Sequence, residues 1–197
     1  MNVLNIHGYK GSSCNSAYTA LKSIGCEVIS PEIGFDVLTP QKIIENLHHL
    51  IIENKINVIV GTSLGGFYAS VLSAQLNLSV ILVNPCLMPF MYLLNLGYSG
   101  DVKQYMTLFG EILKLNDDNV NTIVGCEDEI IDTELTKSIL RNSRYREIPN
   151  GKHSGSTLPL KDFFTEILCY IEDKWDDGGT HDCINLFKKR GRTFNNG

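Results

Sequence analysis

Residues 58–69 read VIVGTSLGGFYA: an apolar run, then serine between glycines, then small and aromatic residues. The pattern is G-x-S-x-G, with Gly61, Ser63 and Gly65 at its fixed positions. It is typical of a sharp turn from a strand into a helix, where glycines let the two elements approach closely. We predict that this turn presents the Ser63 hydroxyl as a nucleophile, and that the N–H of Leu64 points to the place where an oxyanion forms.

The bare pattern is weak evidence by itself, because roughly one chain in ten of this glycine and serine content contains it by chance. The alternative interpretation is an ordinary glycine-rich turn between a strand and a helix. The choice between the two therefore depends on whether the chain also supplies a base and an acid.

Short apolar runs alternate with helix-length amphipathic segments along the chain. Several of these runs are β-branched without polar alternation, as in central strands of a parallel sheet covered on both faces. We predict an α/β fold: a mostly parallel, doubly wound sheet of about six or seven strands, with helices on both faces and a minimal lid. The predicted strands are Val3–Ile6, Glu27–Ser30, Val58–Gly61, Val80–Val83, Thr122–Gly125 and Tyr145–Ile148.

Two helices carry clear sequence signals. Thr39 followed by Pro40 is a capping residue before a proline at the first helical position. A later helix has an apolar face and closes the fold; the face consists of Phe163, Phe164, Ile167, Leu168 and Ile171. We expect residues 1–174 to form a single domain and residues 175–197 to be a flexible C-terminal extension.

The composition limits the partners of the chain. Its 197 residues carry a formal net charge of −5, which disfavours binding to a nucleic-acid backbone. The apolar runs are too short to cross a bilayer, and the start of the chain lacks the pattern of a signal peptide. The six cysteines show neither a C-x-x-C pair nor a zinc-binding spacing. We expect a cytoplasmic protein with no metal, no organic cofactor, no nucleic-acid partner and no membrane span; the oligomeric state stays open.

A serine nucleophile needs a base, which in this arrangement follows the serine and the acid along the chain. Two histidines follow Ser63. His153 lies in a glycine-bearing loop between the last predicted strand and the final helix, whereas His181 lies in the C-terminal extension. We predict that His153 accepts the proton of Ser63.

The acid should follow the predicted strand that ends at Gly125. Four carboxylates lie there: Glu127, Asp128, Glu129 and Asp132. Asp128 is the preferred acid because it is close enough to the strand end to be held rigidly. Asp132 directly precedes a helix-like segment and is better explained as its cap. Asp132 and the two glutamates nevertheless stay open as alternatives.

The loop after the first predicted strand begins with His7, Gly8 and Tyr9. We predict the N–H of Tyr9 as the second oxyanion donor, because Gly8 lets the chain turn back over the site. His7 is assigned an orienting role rather than that of the base. His7 and Gly8 are also candidates for the substrate pocket.

Residues 84–94 follow the predicted strand Val80–Val83 and are rich in methionine and aromatic side chains. The segment is either a substrate wall with a small lid or plain core packing, and both interpretations stay open. If it is a wall, it favours an apolar acyl group. Its pocket candidates are Asn84, Pro85 and Met88.

Five motifs together resemble the compact bacterial α/β-hydrolase esterases of the YqiA-like family. They are IHGY at 6–9, GTSLGGFYA at 61–69, NP at 84–85, EDEIID at 127–132 and GKH at 151–153. The resemblance covers residues 3–171. It implies the α/β-hydrolase fold, esterase activity on short acyl esters, and a catalytic triad of Ser63, Asp128 and His153. It also supports Asn84-Pro85 as part of the framework of the site.

These observations predict a serine esterase that hydrolyses small-molecule esters with short-to-medium acyl groups through an acyl-enzyme. A thioesterase or an acyltransferase would use the same residues. Two further alternatives are a hydrolase-fold binding protein without turnover and a thiol-based function at Cys14 or Cys86.

Overall fold

Six parallel strands form one sheet in the computed structural model, which describes residues 1–175. The spatial order of the strands is β2-β1-β3-β4-β5-β6. Their bounds are β1 Asn2–Ile6, β2 Glu27–Ile29, β3 Val58–Thr62, β4 Ser79–Val83, β5 Val120–Gly125 and β6 Arg144–Ile148. Each predicted strand is present to within two residues at its ends, and every pairing is parallel.

Helices connect the strands, as the alternation of sequence patterns predicts. Within residues 1–175 they are α1 Ser16–Ser23, α2 Pro40–Glu53, α3 Leu64–Leu76, α4 Pro89–Tyr92, α5 Lys103–Ile112, α6 Thr133–Ile139 and α7 Leu160–Trp175. The predicted start of α2 is confirmed, because the Thr39 hydroxyl accepts a hydrogen bond from the Lys42 N–H and Pro40 is the first helical residue.

Two apolar clusters cover the two faces of the sheet. One cluster joins α2, α3 and α5 to Leu4 and Ile59, and the other joins α1 and α7 to Val3 and Val58. Neighbouring residues of a strand point to opposite faces, so a strand between two covered faces is apolar at every position. This two-sided burial explains the continuous apolar runs of the sequence and confirms the predicted α/β fold.

The order in which strands are added to the sheet reverses between β1 and β3. These two strands lie side by side although β2 separates them in the sequence. Ligand sites of doubly wound folds lie beyond the carboxyl ends of the strands at such a point. Here the carboxyl end of β1 leads into His7 and that of β3 into Ser63. The topology therefore brings the loop after β1 next to the serine turn.

No helix among residues 1–175 is long and apolar enough to span a bilayer. Residues 176–197, which hold almost all of the predicted extension together with His181, lie outside the described part of the chain.

Candidate active site

Ser63 occupies a strained turn between β3 and α3. Its φ of 52° and ψ of −121° lie outside the regions that non-glycine residues favour. Three backbone hydrogen bonds fix this conformation: the Ser63 N–H donates to the Val83 carbonyl at 3.0 Å, and the Ser63 carbonyl accepts from the N–H groups of Gly66 at 2.8 Å and Cys86 at 3.0 Å. The strain persists because the surrounding backbone holds the residue from both sides.

Glycines permit the close packing at this turn. A Cβ on Gly61 would lie 2.5 Å from the Gly65 carbonyl oxygen and 2.7 Å from the Ala69 Cβ. A Cβ on Gly65 would overlap the backbone carbonyl of Ile6 in β1. Helix α3 can therefore begin directly beside the sheet only because these positions carry no side chain.

Three side chains from separate loops form one chain of hydrogen bonds. The His153 Nε2 lies 3.0 Å from the Ser63 Oγ, and the His153 Nδ1 lies 2.8 Å from the Asp128 Oδ2. The Asp128 side chain is 0% exposed and the His153 side chain 16% exposed. This order of contacts makes Nδ1–H the donor to Asp128 and leaves Nε2 to accept the Ser63 hydroxyl proton.

The buried Asp128 carboxylate is also held by its own loop. Its Oδ1 accepts hydrogen bonds from the N–H groups of Ile130 and Ile131, each at 2.9 Å. These two hydrogen bonds offset the free-energy cost of removing the charged carboxylate from water. The carboxylate therefore faces His153 in a fixed orientation.

The other three carboxylates of this loop have different contacts. Asp132 caps α6, with its Oδ1 accepting from the N–H groups of Glu134 and Leu135. Glu129 accepts the backbone N–H of His153 at 3.1 Å, and this hydrogen bond lowers the pKa of the Glu129 carboxyl below its usual value. Glu127 is exposed. Of the four carboxylates, Asp128 is the one hydrogen-bonded to the His153 ring.

Two backbone N–H groups next to Ser63 carry no hydrogen bond to an acceptor in residues 1–175, those of Tyr9 and Leu64. Leu64 begins α3, so its N–H lies at the positive end of the helix dipole. Gly8 passes so near to Ser63 that an added Cβ would lie 2.9 Å from the Ser63 Cβ. The loop that carries Tyr9 therefore passes close to Ser63.

The Tyr9 side chain contacts protein rather than the site. Its hydroxyl donates to the Asp36 carboxylate at 2.8 Å, and burial together with this contact raises the pKa of Tyr9 to about 12. The contact ties the loop after β1 to the loop after β2. Sequence reasoning missed Asp36, since no spacing relates residues in two loops that meet only in the folded chain.

His7 and Asn84 hold backbone, and this corrects their assignment to the substrate pocket. His7 is 2% exposed, its Nδ1 lies 2.8 Å from the Gly8 carbonyl, and its Nε2 accepts from the Ile33 N–H. Asn84 is 1% exposed, and its amide bonds to the last residue of β5 and to the loop after β6. Neither side chain has a surface for a substrate to touch, so both act as supports.

The segment after β4 is part core and part surface, so each interpretation of residues 84–94 fits some of its residues. Pro85 is buried against α3, where a Cβ on Gly66 would lie 2.6 Å from the Pro85 Cβ. Met88 is half-buried, whereas Met91 and Leu94 are exposed.

Two polar contacts tie the same segment to loops of the site. The Tyr92 hydroxyl accepts from the Asp132 N–H at 3.3 Å, and Lys10 Nζ donates to the Leu96 carbonyl at 2.7 Å. Residues 88–98 therefore connect the loop after β5 with the loop after β1, in place of a large lid.

The two thiol candidates lie in different environments. Burial, with a smaller contribution from the Asp128 charge, raises the pKa of the Cys86 thiol to about 12. Cys14 is exposed, and its sulfur lies 4.0 Å from the Ser13 hydroxyl. A nucleophilic cysteine needs a lowered pKa, so the environment of Cys86 opposes the thiol-based alternative. Among residues 1–175, no group of three His, Cys, Asp or Glu side chains could hold a metal ion.

Residues 2–158 match UPF0227, an uncharacterised protein family. The chain belongs to this family. The match confirms the resemblance of its motifs to the YqiA-like α/β hydrolases. No curated protein matches the sequence.

Solved structures similar to this UPF0227 member share its fold at low sequence identity. A structure of LipS and LipT, two metagenome-derived lipolytic enzymes, has a TM-score of 0.68 at 15% identity, over 87% of this chain and 93% of that one. Est1E from Butyrivibrio proteoclasticus has a TM-score of 0.65 at 18% identity, over 85% and 88%. A putative lipase from Acinetobacter baumannii AYE has a TM-score of 0.61 at 18% identity, over 88% and 85%. At these identities the similarity shows the α/β-hydrolase fold.

Proposed function

We propose that this chain is a serine esterase with Ser63 as nucleophile, His153 as general base and Asp128 as the acid. The observation that carries the proposal is the hydrogen-bonded order Ser63 Oγ, His153 and Asp128, with heavy-atom distances of 3.0 and 2.8 Å. Nucleophile, base and orienting acid within hydrogen-bond reach are the arrangement that activates a serine hydroxyl. The lipolytic enzymes and esterases among the similar structures favour the same reaction class.

The reaction begins when Ser63 Oγ attacks the ester carbonyl carbon and His153 Nε2 takes the hydroxyl proton. The N–H groups of Leu64 and Tyr9 hold the negative oxygen of the tetrahedral intermediate. His153 then gives its proton to the departing alcohol, which leaves Ser63 acylated. Asp128 stabilises the imidazolium and keeps the ring in the required tautomer.

Water completes the cycle. His153 takes a proton from a water molecule, the resulting hydroxide attacks the acyl carbon, and collapse of the second intermediate returns the proton to Ser63 and releases the acid. Every step uses groups of this chain and water. The resemblance to the YqiA-like esterases favours small esters with short acyl groups.

A series of nitrophenyl esters from acetate to laurate tests the proposal. We expect Ser63→Ala and His153→Ala each to lower kcat/KM by roughly 10⁴-fold or more, and the double variant to lose little further, because the two residues act as one unit. His49→Ala, which changes an exposed histidine on α2, is the matched control and should keep the wild-type rate. Near-normal turnover by His153→Ala would show that the assigned base is wrong, and a folded wild type without turnover would favour a binding protein.

A further inference from the structure

Asn84 lies where three loops meet at the carboxyl end of the sheet. It directly follows β4, and its neighbours are the acid loop (residues 126–132), which follows β5, and the base loop (residues 149–154), which follows β6. Its side chain bonds to the strand end that leads into the acid loop and to the base loop. The proposed mechanism assigns Asn84 no chemical step.

The Asn84 amide bonds to the end of β5 and to the base loop at once. Its Oδ1 accepts from the Gly125 N–H at 2.8 Å, at the point where β5 ends and the acid loop starts. Its Nδ2 donates to the carbonyls of Lys152 at 2.9 Å and His153 at 2.8 Å in the base loop. One buried side chain thus joins the strand end that leads to Asp128 and the peptide group of His153.

Two independent requirements select asparagine at this position. The φ of Asn84 is 43°, in the left-handed region that glycine, asparagine and aspartate tolerate best. The side chain must also supply two N–H donors and one acceptor, which glycine and aspartate cannot do. Asparagine alone among these residue types meets both requirements.

The acid and base loops also meet backbone against backbone at one point. The Glu127 N–H donates to the Gly151 carbonyl at 2.8 Å, and the same carbonyl would overlap a Cβ on Gly125. On the far side of the base loop, Glu129 accepts the His153 N–H. The backbone of His153 is therefore held at its N–H by Glu129 and at its carbonyl by Asn84.

We propose that Asn84 is a positioning residue that sets the distance and angle between the His153 ring and Asp128. The inference rests on the proposed function, because it assigns a support to that same site. A displacement of about 1 Å in a reacting group can lower a rate roughly 100-fold, so the fixed position of the base loop bears directly on turnover.

The matched control is Asn121, a second buried asparagine. It is 1% exposed, like Asn84, but lies near the opposite end of β5, and its amide has no hydrogen-bond partner within residues 1–175. If Asn84 only filled space in the core, substitutions at both positions would lower stability and leave turnover unchanged. If Asn84 has a positioning role, substitutions at Asn84 lower turnover, whereas a substitution at Asn121 does not.

The experiment compares Asn84→Asp, Asn84→Gly and Asn121→Asp. Asn84→Asp keeps the acceptor and the tolerance for positive φ but removes both donors, and Asn84→Gly removes the side chain without adding a buried charge. We expect both Asn84 variants to lower kcat for a nitrophenyl ester roughly 100-fold with little change in KM. The low-field proton resonance of the His153–Asp128 hydrogen bond should shift or broaden in both. Asn121→Asp should lose stability and keep both kcat and the resonance.

A folded Asn84 variant with wild-type kcat and an unshifted resonance would overturn the proposal, and so would an equal loss of kcat in Asn121→Asp. If Asn84→Asp does not fold, Asn84→Gly supplies the same readouts. Failure of the esterase proposal is visible separately, because the wild type would then hydrolyse no ester. The resonance of the His153–Asp128 hydrogen bond tests the position of the ring without turnover.

Discussion

The Ser63 backbone and the Asp128 carboxylate are the two places where single residues of the site are costly to hold. A backbone in a sparsely populated conformation costs about 1–3 kcal/mol, and a buried carboxylate without donors costs several more. Hydrogen bonds from Gly66 and Cys86 hold the Ser63 backbone in its conformation. Those from Ile130 and Ile131 offset the cost of burying the Asp128 carboxylate.

The identity of the acid is tested by two isosteric substitutions. We expect Asp128→Asn to lower kcat/KM roughly 10⁴-fold, because the amide favours the wrong tautomer of His153 and cannot stabilise the imidazolium. Asp132→Asn should keep turnover and most of the stability, since asparagine caps a helix about as well as aspartate. Steady-state ester hydrolysis and urea unfolding measure the two effects. Loss of turnover in Asp132→Asn alone would reassign the acid.

At the scale of elements, glycines allow α3 to pack directly against the sheet. The Gly65 Cα faces the backbone of β1, which cannot move away without breaking the pairing of β1 with β3. Gly110 in α5 offers a contrast, because an added Cβ there meets nothing within 4 Å. There is therefore no room for a side chain at position 65, whereas there is room for one at position 110.

Alanine substitutions at these glycines should change stability in opposite directions. We expect Gly65→Ala to lower the free energy of unfolding by about 3 kcal/mol or more, because the new methyl group overlaps backbone. Gly110→Ala should raise it by about 0.5–1 kcal/mol, the usual gain for replacing an exposed helical glycine. Urea unfolding followed by circular dichroism measures both. A neutral Gly65→Ala would contradict the close approach of α3 to β1.

The elements themselves could be predicted from the sequence, because each is encoded by neighbouring residues. Apolar runs mark β3 and β4, and Thr39-Pro40 marks the start of α2. The sequence assigns His7 an orienting role and the resemblance implies Asn84-Pro85 as framework, but the contacts of these supports could not be predicted in this way. Asn84 bonds to residues that lie 41 to 69 positions away, and no spacing in the sequence records such a contact. For the same reason the sequence also proposes His7 as a pocket residue, although its ring is buried.

The whole molecule brings the three central side chains together through its strand order. Asp128 and His153 are 25 residues apart, and they meet because β5 and β6 are neighbours in the sheet. Ser63 and His153 are 90 residues apart and meet at the shared carboxyl edge of the parallel strands. The order of serine, acid and histidine along the chain could be predicted because it follows from this topology.

Reaction with a fluorophosphonate probe tests most directly whether Ser63 is an activated nucleophile. We expect the wild-type protein to gain one covalent adduct, which peptide mass mapping assigns to Ser63. The folded Ser63→Ala variant should gain none, and His153→Ala should react far more slowly, because the serine then lacks its base. An adduct on another residue, or unchanged labelling of Ser63→Ala, would contradict the account.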